Sequence, residues 1–262
     1  MRIVVCVKQV PDVAELRIDE VTHNLIRAGV PSILNPFDEF AVEEALRIRE
    51  RNGGTVTVIT MGPPQARDAL VQCLAMGVDR AILLTDSAFA AADTYATAKT
   101  LALALGKLEF DLVICGMKAI DGETCQVGPE LAELLGIPHL SYVKKVEVDL
   151  AANTALVERL TEEGYEQVRS TLPCLLTATK ALNVPRVATL IQQLAAKQKP
   201  IETWSIANIG AERKDVGLTG SRTQVVKVYT PELKSQGIIV TTEDLPNVVA
   251  QVVKLLEKES AV

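Results

Sequence analysis

The segment from residue 116 to residue 129 holds the densest group of residues that could bind a ligand. It reads Gly-Met-Lys-Ala-Ile-Asp-Gly-Glu-Thr-Cys-Gln-Val-Gly-Pro and joins an apolar run to a segment with helical periodicity. Such a strand-to-helix junction lies at the carboxyl edge of a parallel sheet, where open α/β folds bind ligands. Glycines let the backbone approach a phosphate, and a helix N-terminus attracts anions. The segment therefore predicts a ligand-binding loop, with a plain polar turn as the alternative.

Three further segments should converge on the same sheet edge. They are Val7 to Asp12, the turn Asn35 to Asp38, and the strand end Met61 to Pro64. Gly62 precedes two prolines, which predicts a rigid turn where backbone groups of Met61 and Gly62 could contact an adenine edge. The alternative is that these residues only form the turn between a strand and a helix. Together the strand ends predict a crevice.

No catalytic signature accompanies this crevice. The chain contains neither G-x-G-x-x-G nor G-x-x-x-x-G-K-[ST], so it lacks a dinucleotide fingerprint and a P-loop. Two histidines, His23 and His139, without a Cys/His cluster argue against a zinc or haem site. The spacing of Asp121 and Glu123 favours helix N-cap or ribose contacts over acid–base catalysis. The sequence thus indicates a nucleotide-binding scaffold that acts as a carrier.

The composition suits a buried parallel sheet covered by helices. Hydrophobic residues make up 48% of the 262 residues and aromatic residues only 3%, so small aliphatic side chains must fill the core. A net charge of −6 argues against nucleic acid as a partner. Five cysteines without a C-x-x-C pair indicate free buried thiols, and no uncharged run reaches the roughly 18 residues that span a bilayer. We expect a soluble, cytoplasmic protein.

Short apolar runs alternate with helical segments along the first two thirds of the chain, which predicts an α/β fold with a doubly wound, mostly parallel sheet. The predicted strands are Ile3 to Val7, Val56 to Met61, Ala81 to Leu84, Leu112 to Cys115 and Cys174 to Ala178. The predicted helices are Asp38 to Arg51, Gln65 to Met76, Thr94 to Leu105 and Pro129 to Leu135. Weak alternation from Val143 to Leu172 predicts a β-ribbon at a sheet edge.

The last third of the chain has a different pattern. It predicts a helix near Thr189 to Lys197, a stretch without regular structure from Pro200 to Gly220, a strand Gln224 to Tyr229, and a final helix. That helix, about Glu243 to Glu257, carries one apolar stripe that needs a partner surface. The stripe comprises Leu245, Val248, Val249, Val252, Leu255 and Leu256. The irregular stretch predicts either an arm that wraps a partner or a mobile tail.

Five landmarks then occur in order along the chain. They are Val-Cys-Val-Lys-Gln-Val-Pro-Asp at 5–12, Asn-Pro-Phe-Asp at 35–38 with Ala-Val-Glu-Glu-Ala at 41–45, Ala-Met-Gly-Val-Asp-Arg-Ala at 75–81, the 116–128 loop, and Leu-Asn-Val-Pro-Arg-Val-Ala-Thr-Leu at 182–190. With these landmarks the whole chain resembles the beta subunit of electron-transfer flavoproteins. The resemblance implies an adenine-nucleotide alpha-hydrolase-like core at residues 1–185, a partner-recognition loop, helix and extended arm at 186–220, and a C-terminal strand and helix at 221–262 that dock on an alpha subunit.

The resemblance also implies which residues form the cofactor site, and these coincide with the crevice. The expected cofactor-binding residues are Cys6, Val7, Lys8, Asn35, Pro36, Phe37, Asp38, Met61, Gly62, Gly116, Met117, Lys118, Ala119, Ile120, Asp121, Gly122, Glu123, Thr124, Cys125, Gln126, Val127 and Gly128. The family's partner-recognition loop falls on Arg186 to Ala195, with Leu190 as the anchor into an acyl-CoA dehydrogenase-type flavoenzyme. An ordinary core leucine is the alternative for Leu190.

The family divides at the ligand-binding loop. Respiratory members resemble Asp-Asp-Asp-x-Asn-Gln-Thr-Gly-Gln and hold AMP, whereas flavin-bifurcating members resemble Asp-Gly-[Asp/Glu]-Thr-x-Gln-Val-Gly-Pro and hold a second FAD. Residues 121–129 follow the second pattern, and Arg27 to Val30 also look like the anaerobic group. Val13 stands where respiratory members place a tyrosine that faces the partner's flavin. Gly122 removes charge and volume beside a diphosphate, which gives a dinucleotide room.

Three functions follow as hypotheses. In the favoured one, FAD in the crevice accepts a hydride from NADH. One electron then passes to the FAD of the alpha subunit and the other to a low-potential acceptor, a ferredoxin or flavodoxin. In the second, the chain holds AMP and belongs to a one-flavin shuttle between dehydrogenases and a quinone reductase. In the third, it is an adenine-nucleotide-sensing module without a redox role. Oxidoreductase activity is expected only within the heterodimer or a larger complex.

Overall fold

The computed structural model describes residues 1–12, 31–226 and 245–259, together with the backbone of residues 17–18 and 25–26. The chain forms two compact units, Met1–Lys227 and Val228–Val262. The predictions on Val13 and on Arg27 to Val30 lie outside the described residues. The first unit contains a nine-stranded sheet with helices on both of its faces.

The elements are numbered in chain order. The strands are β1 Arg2–Cys6, β2 Gln9–Pro11, β3 Arg17–Ile18, β4 Leu25–Ile26, β5 Ser32–Leu34, β6 Thr55–Met61, β7 Arg80–Leu84, β8 Leu112–Gly116, β9 His139–Asp149, β10 Thr154–Thr161, β11 Gly164–Thr171, β12 Cys174–Ala178 and β13 Glu202–Trp204. The helices are α1 Pro36–Asn52, α2 Arg67–Met76, α3 Thr94–Leu105, α4 Val127–Leu135, α5 Leu190–Ala196, α6 Ile206–Ile209, α7 Gly217–Gly220 and α8 Leu245–Glu259.

The main sheet has the order β11-β10-β9-β12-β8-β1-β6-β7-β13. Every adjacent pair in the series β9-β12-β8-β1-β6-β7-β13 is parallel. Strands β9, β10 and β11 form the predicted antiparallel ribbon at one edge. The central strands are covered on both faces, which is why they are continuous apolar runs rather than alternating ones. Alternate residues of β1 serve the two layers: Val5 packs with α1 and α2, and Val4 packs with α3 and α4. The predicted doubly wound fold is confirmed.

The predicted core elements are confirmed with small shifts at their ends. α3 and β12 have the predicted bounds, while α1 begins two residues earlier than predicted, with Pro36 in its first turn. Pro36 suits that place because its missing N–H would have no helical partner there. Four helices end at glycines, namely Gly53, Gly77, Gly106 and Gly136.

The prediction that Pro200 to Gly220 has no regular element is wrong. The segment contains β13, α6 and α7, and β13 pairs in parallel with β7 at the sheet edge. Ile209 and Val216 are buried, and Gly217 lies so close to the Ala88 carbonyl that an added Cβ would overlap it. These elements are only three or four residues long and are stabilised by tertiary packing. The sequence therefore shows no hydrophobic periodicity that would predict them. The arm packs on its own chain, and the argument for partner wrapping from missing structure no longer holds.

The C-terminal predictions have mixed outcomes. Residues 224–226 carry no strand, and the remainder of the predicted strand Gln224 to Tyr229 lies outside the described residues. The final helix is confirmed as α8. Its apolar stripe is exposed at Val249, Val252, Leu255 and Leu256, while the Leu245 side chain lies outside the described part of the chain. Among the helices that the structure describes, none is long and apolar enough to cross a membrane.

Candidate functional site

The site lies where the winding of the sheet changes direction. From β1 the chain builds β6 and β7 on one side and then adds β8 on the other side of β1. Ligands of open α/β sheets bind at such a switch point, outside the carboxyl ends of the strands. The residues that follow β1 and β8 are Val7, Lys8 and the 117–126 loop. The structure therefore brings most of the predicted site residues to one edge.

Asp38 holds this edge together. Its carboxyl group is buried in the first turn of α1, where Oδ2 accepts the Lys8 N–H at 2.7 Å and Oδ1 accepts the Gly116 N–H at 3.1 Å. One side chain thus joins the ends of two adjacent strands to a helix N-terminus. Burial raises the pKa of Asp38 to about 7, although hydrogen bonds from Asn35, Lys8 and Gly116 favour the ionised form.

Asn35 attaches the ligand-binding loop to the same point. Its backbone N–H donates to the Lys8 carbonyl at 2.9 Å, and its Nδ2 donates to the Lys118 carbonyl at 2.9 Å. Its Oδ1 accepts the Ile120 N–H at 3.2 Å. A primary amide is suited to this place because it both donates and accepts. The side chain is buried, so the loop is fixed from inside the protein.

Two ion pairs compensate the charges of the loop. Lys8 Nζ lies 2.7 Å from Asp121 Oδ2, and Lys118 Nζ lies 2.6 Å from Glu123 Oε1. The Lys118 ammonium also lies 5.7 Å from the centre of the Phe37 ring. Neither carboxylate caps α4, so the N-cap interpretation of Asp121 and Glu123 is wrong, and a ribose contact stays a prediction.

The loop ends at a helix N-terminus without a side-chain cap. α4 starts at Val127, two residues before the predicted start, and its N-cap residue Gln126 makes no capping hydrogen bond with its side chain. Uncapped N–H groups and the helix dipole together favour an anion at this position. Just before it, Glu123 and Cys125 have positive φ values of 53° and 57°. Left-handed conformations of non-glycine residues are costly and concentrate at functional sites.

The three loop glycines do different things. An added Cβ at Gly116 would overlap Asp38 Oδ1 and approach Phe37 Cβ to 2.9 Å, and one at Gly128 would approach Thr177 Cγ2 to 2.7 Å. Both glycines therefore permit packing within the chain, and a phosphate contact at either one stays a prediction. At Gly122 a Cβ would meet no atom within 4 Å. Only Gly122 borders the open space that a ligand needs.

The remaining predicted residues lie around this centre. Cys6 pairs in register with Cys115, and Val7 donates its N–H to the Ile59 carbonyl at 2.9 Å, so both residues are buried beneath the edge. The Gly62 N–H donates to the Leu84 carbonyl at 3.0 Å. That N–H is not available to an adenine edge, which corrects one part of the prediction for Met61 and Gly62. Met117, Ala119 and Thr124 lie in the loop itself.

One part of this edge was missed from the sequence. Asp93 caps α3 by accepting the Ala96 N–H at 2.9 Å and also accepts the N–H groups of Arg222 and Thr223, each at 2.7 Å. The neighbouring Thr94 hydroxyl lies 3.3 Å from Gln126 Oε1. These contacts bring the α3 N-terminus and residues 221–223 beside the ligand-binding loop. An Asp-Thr pair before a helical pattern was the available signal, but the contact to Arg222 spans 129 positions.

The titratable side chains of the described residues show no metal cluster, and the loop carboxylates form ion pairs. Within the described residues, no group of three or more His, Cys, Asp and Glu side chains could hold a metal ion. All five cysteines are free, and four are buried while Cys125 is half-buried. The loop carboxylates are paired with lysines and are not arranged as an acid–base couple.

The fold and this site define a doubly wound α/β protein with a ligand loop at its switch point. Residues 22–209 match the family model described as Electron transfer flavoprotein domain. The chain belongs to the electron transfer flavoprotein family, among its beta subunits. The sequence-based identification of this family is confirmed. The hypothesis of a nucleotide sensor without a redox role is overturned, because an electron-transfer role comes with the family.

Several relatives are similar over almost the whole chain. The chain is 51% identical to the Electron transfer flavoprotein subunit beta of Clostridium acetobutylicum over 99% of both proteins. It is 45% identical to the Caffeyl-CoA reductase-Etf complex subunit CarD of Acetobacterium woodii, again over 99% of both. It is also 45% identical to Protein FixA of Azorhizobium caulinodans, over 90% of this chain and 86% of that protein. Beta subunits of this family pair with an alpha subunit and associate with a flavin or nucleotide.

The glycine geometry predicts a contrast between two substitutions. Gly116→Ala should lower the free energy of unfolding by roughly 1–3 kcal/mol, because the added methyl group overlaps Asp38 and Phe37. Gly122→Ala should change it by no more than about 0.5 kcal/mol, because nothing lies within 4 Å. Urea denaturation of both variants measures the difference. Equal stabilities would contradict the packing role of Gly116.

The raised pKa of Asp38 predicts that the free energy of unfolding depends on pH. Its folded-state pKa of about 7 lies above the unfolded value, so the folded protein binds the extra proton between these two values. The contribution of Asp38 to the free energy of unfolding should therefore fall as pH rises from about 4 to 7, by roughly 4 kcal/mol, and stay constant above that range. The difference in unfolding free energy between the wild type and Asp38→Asn, measured from pH 4 to 8, isolates this contribution. A pH-independent difference would show that Asp38 is ionised throughout.

Proposed function

We propose that this chain is the beta subunit of a flavin-bifurcating electron-transfer flavoprotein. It would hold FAD at the β1/β8 edge, receive a hydride from NADH, and deliver electrons to the alpha-subunit FAD and to a low-potential acceptor. The observation that carries the proposal is residues 121–129, Asp-Gly-Glu-Thr-Cys-Gln-Val-Gly-Pro, with Gly122 facing open space. FAD supplies hydride acceptance and single-electron transfer when bound, and the protein supplies binding and orientation.

The residues at the edge fit a dinucleotide. The uncapped start of α4 offers N–H groups and a favourable dipole to a diphosphate. The carboxylates of Asp121 and Glu123 each have a lysine partner, so their negative charges are compensated and would repel a diphosphate less. Gly122 adds no side chain where the longer ligand would pass. Asn35 and Asp38 hold the loop and strand ends in place for it.

The alternative is a beta subunit that holds AMP and serves a one-flavin shuttle between dehydrogenases and a quinone reductase. The lysines and the α4 N-terminus would bind a monophosphate as readily as a diphosphate. The open space at Gly122 favours the larger ligand, and this favours FAD.

The proposed partners follow from the family and from one relative. The name of CarD places it in a caffeyl-CoA reductase-Etf complex. This supports an acyl-CoA dehydrogenase-type flavoenzyme as the partner here. Ferredoxin or flavodoxin as the low-potential acceptor and the cytoplasm as the compartment are further parts of the proposal. Residues 1–185 would form the nucleotide-binding core, 186–220 the partner-recognition region, and 221–262 the part that docks on the alpha subunit.

Flavin stoichiometry tests the proposal directly. The purified heterodimer should contain two FAD molecules and no AMP, and NADH should bleach its flavin absorbance. Acid extraction followed by chromatography with FAD and AMP standards gives both counts. One FAD together with one AMP would establish the alternative instead.

The exposure of Leu190 supports its proposed role as the anchor that docks on the dehydrogenase partner. Its side chain is 69% exposed on α5, so the alternative of a core leucine is wrong. Leu190→Ala should slow electron transfer to the dehydrogenase by roughly 10-fold, as expected for truncating an interface anchor worth 1–2 kcal/mol, and should leave nucleotide content unchanged. Leu150→Ala, at another exposed leucine, is the matched control. Unchanged kinetics at saturating and at limiting partner concentration would place the anchor elsewhere.

A further inference from the structure

The chain is hydrogen-bonded to α1 at Arg186, the first residue of the partner-recognition region. Arg186 donates to Glu43 through its backbone N–H at 3.1 Å, through Nε at 2.8 Å and through Nη2 at 3.3 Å. The same guanidinium donates to Glu50 through Nη1 at 2.6 Å and Nη2 at 3.1 Å. The donors of this guanidinium are therefore largely filled within the chain, and a direct contact of Arg186 with a partner stays a prediction.

Glu43 is the centre of this contact. Its side chain is only 3% exposed although it carries a carboxylate. Arg47, one turn along α1, donates from Nε to Glu43 Oε1 at 2.6 Å and from Nη2 to the Val184 carbonyl at 3.1 Å. Burial alone would raise the pKa of Glu43, but the hydrogen bonds from Arg186 and Arg47 hold it below its usual value. The carboxylate is thus ionised at neutral pH and held by two arginines.

A second contact fixes the chain just upstream. Asn183 donates from Nδ2 to the Phe40 carbonyl at 3.0 Å and to Glu44 Oε2 at 3.1 Å. Glu44 is itself buried and paired with Arg51 at 2.9 Å. Residues 183–186 are therefore attached to successive turns of one helix, which itself packs on the central sheet.

Directly after this attachment the chain presents apolar side chains to solvent. We call these four the docking patch: Val187, Leu190, Ile191 and Leu194, which are 92%, 69%, 79% and 56% exposed. Thr189 and Gln192 form a capping box that starts α5 within the patch. At the far end Ala196 is buried against the core. The patch is thus a short exposed segment held at both ends.

We propose that Glu43 is the positioning residue of the docking patch: through Arg186 it holds residues 187–194 in the conformation that binds the partner. The inference rests on the proposed docking role of Leu190. A loop that is ordered before binding loses less conformational entropy on association, so its affinity is higher. Glu43 is almost fully buried, so it acts on the patch through Arg186. Its removal should weaken docking and leave the chemistry of the bound complex intact.

The test uses the complete heterodimer with its dehydrogenase partner. Glu43→Gln keeps the side-chain shape but removes the charge, and Arg186→Lys keeps the charge but removes the planar fork. Each should raise the KM for the flavoprotein about 10-fold, with kcat and flavin content within 2-fold of the wild type. The double variant Glu43→Gln/Arg186→Lys should be no worse than the poorer single variant, because both act through one contact. Arg49→Gln, which breaks the ion pair between α1 and Asp79, is the matched control and should keep the wild-type KM.

Hydrogen exchange separates this inference from the docking proposal. Amides of residues 187–196 should exchange at least 10-fold faster in Arg186→Lys than in the wild type, while those of β1 and β8 stay protected. Wild-type KM and exchange in both single variants would overturn the inference even if Leu190→Ala impairs transfer. A lowered kcat at unchanged KM would also overturn it. If Leu190→Ala is silent, docking lies elsewhere, whereas faster exchange in 187–196 would still support the attachment through Glu43.

Discussion

Two hydrogen bonds to one buried carboxylate hold the functional edge of the protein together. Asp38 accepts the N–H groups that follow β1 and that end β8, and it does so from the first turn of α1. The bridge adds hydrogen bonds between α1 and the ends of two strands that already pair in the sheet and pack against α1. The bridge places a carboxylate where burial opposes its ionisation. Burial of this carboxylate therefore lowers the stability of the folded protein at neutral pH, while its hydrogen bonds fix the geometry of the edge.

The fold was predictable where the signals are local. Buried parallel strands are continuous apolar runs, and helices carry caps and glycine stops, so strand β12 and helix α3 were predicted with their final bounds. The meeting of the candidate site residues at one edge was predictable as well, because the carboxyl ends of parallel strands lie at the same edge of a sheet. Asn35 and Asp38 were identified through their turn, although the sequence does not reveal their hydrogen-bond partners.

What was missed depends on contacts between distant segments. β13 is only three residues long and exists because β7 offers an edge to pair with. The bond between Asp93 and Arg222 closes a separation of 129 positions, and no periodicity predicts such closure. Gly116 looked like a ligand glycine, yet its lack of a side chain makes room for Asp38. In each case the sequence supplied the residue type and the tertiary packing decided its role.

Helix α1 carries Asp38 near its start and Glu43 five positions later, about 7.5 Å along the helix axis at 1.5 Å per residue. The nucleotide edge and the attachment of the docking patch are thus parts of one rigid rod. Thermodynamic reciprocity then applies to any movement of that rod. If occupancy of the edge changes the affinity of the patch for its partner by some factor, the partner changes the affinity of the edge for its ligand by the same factor.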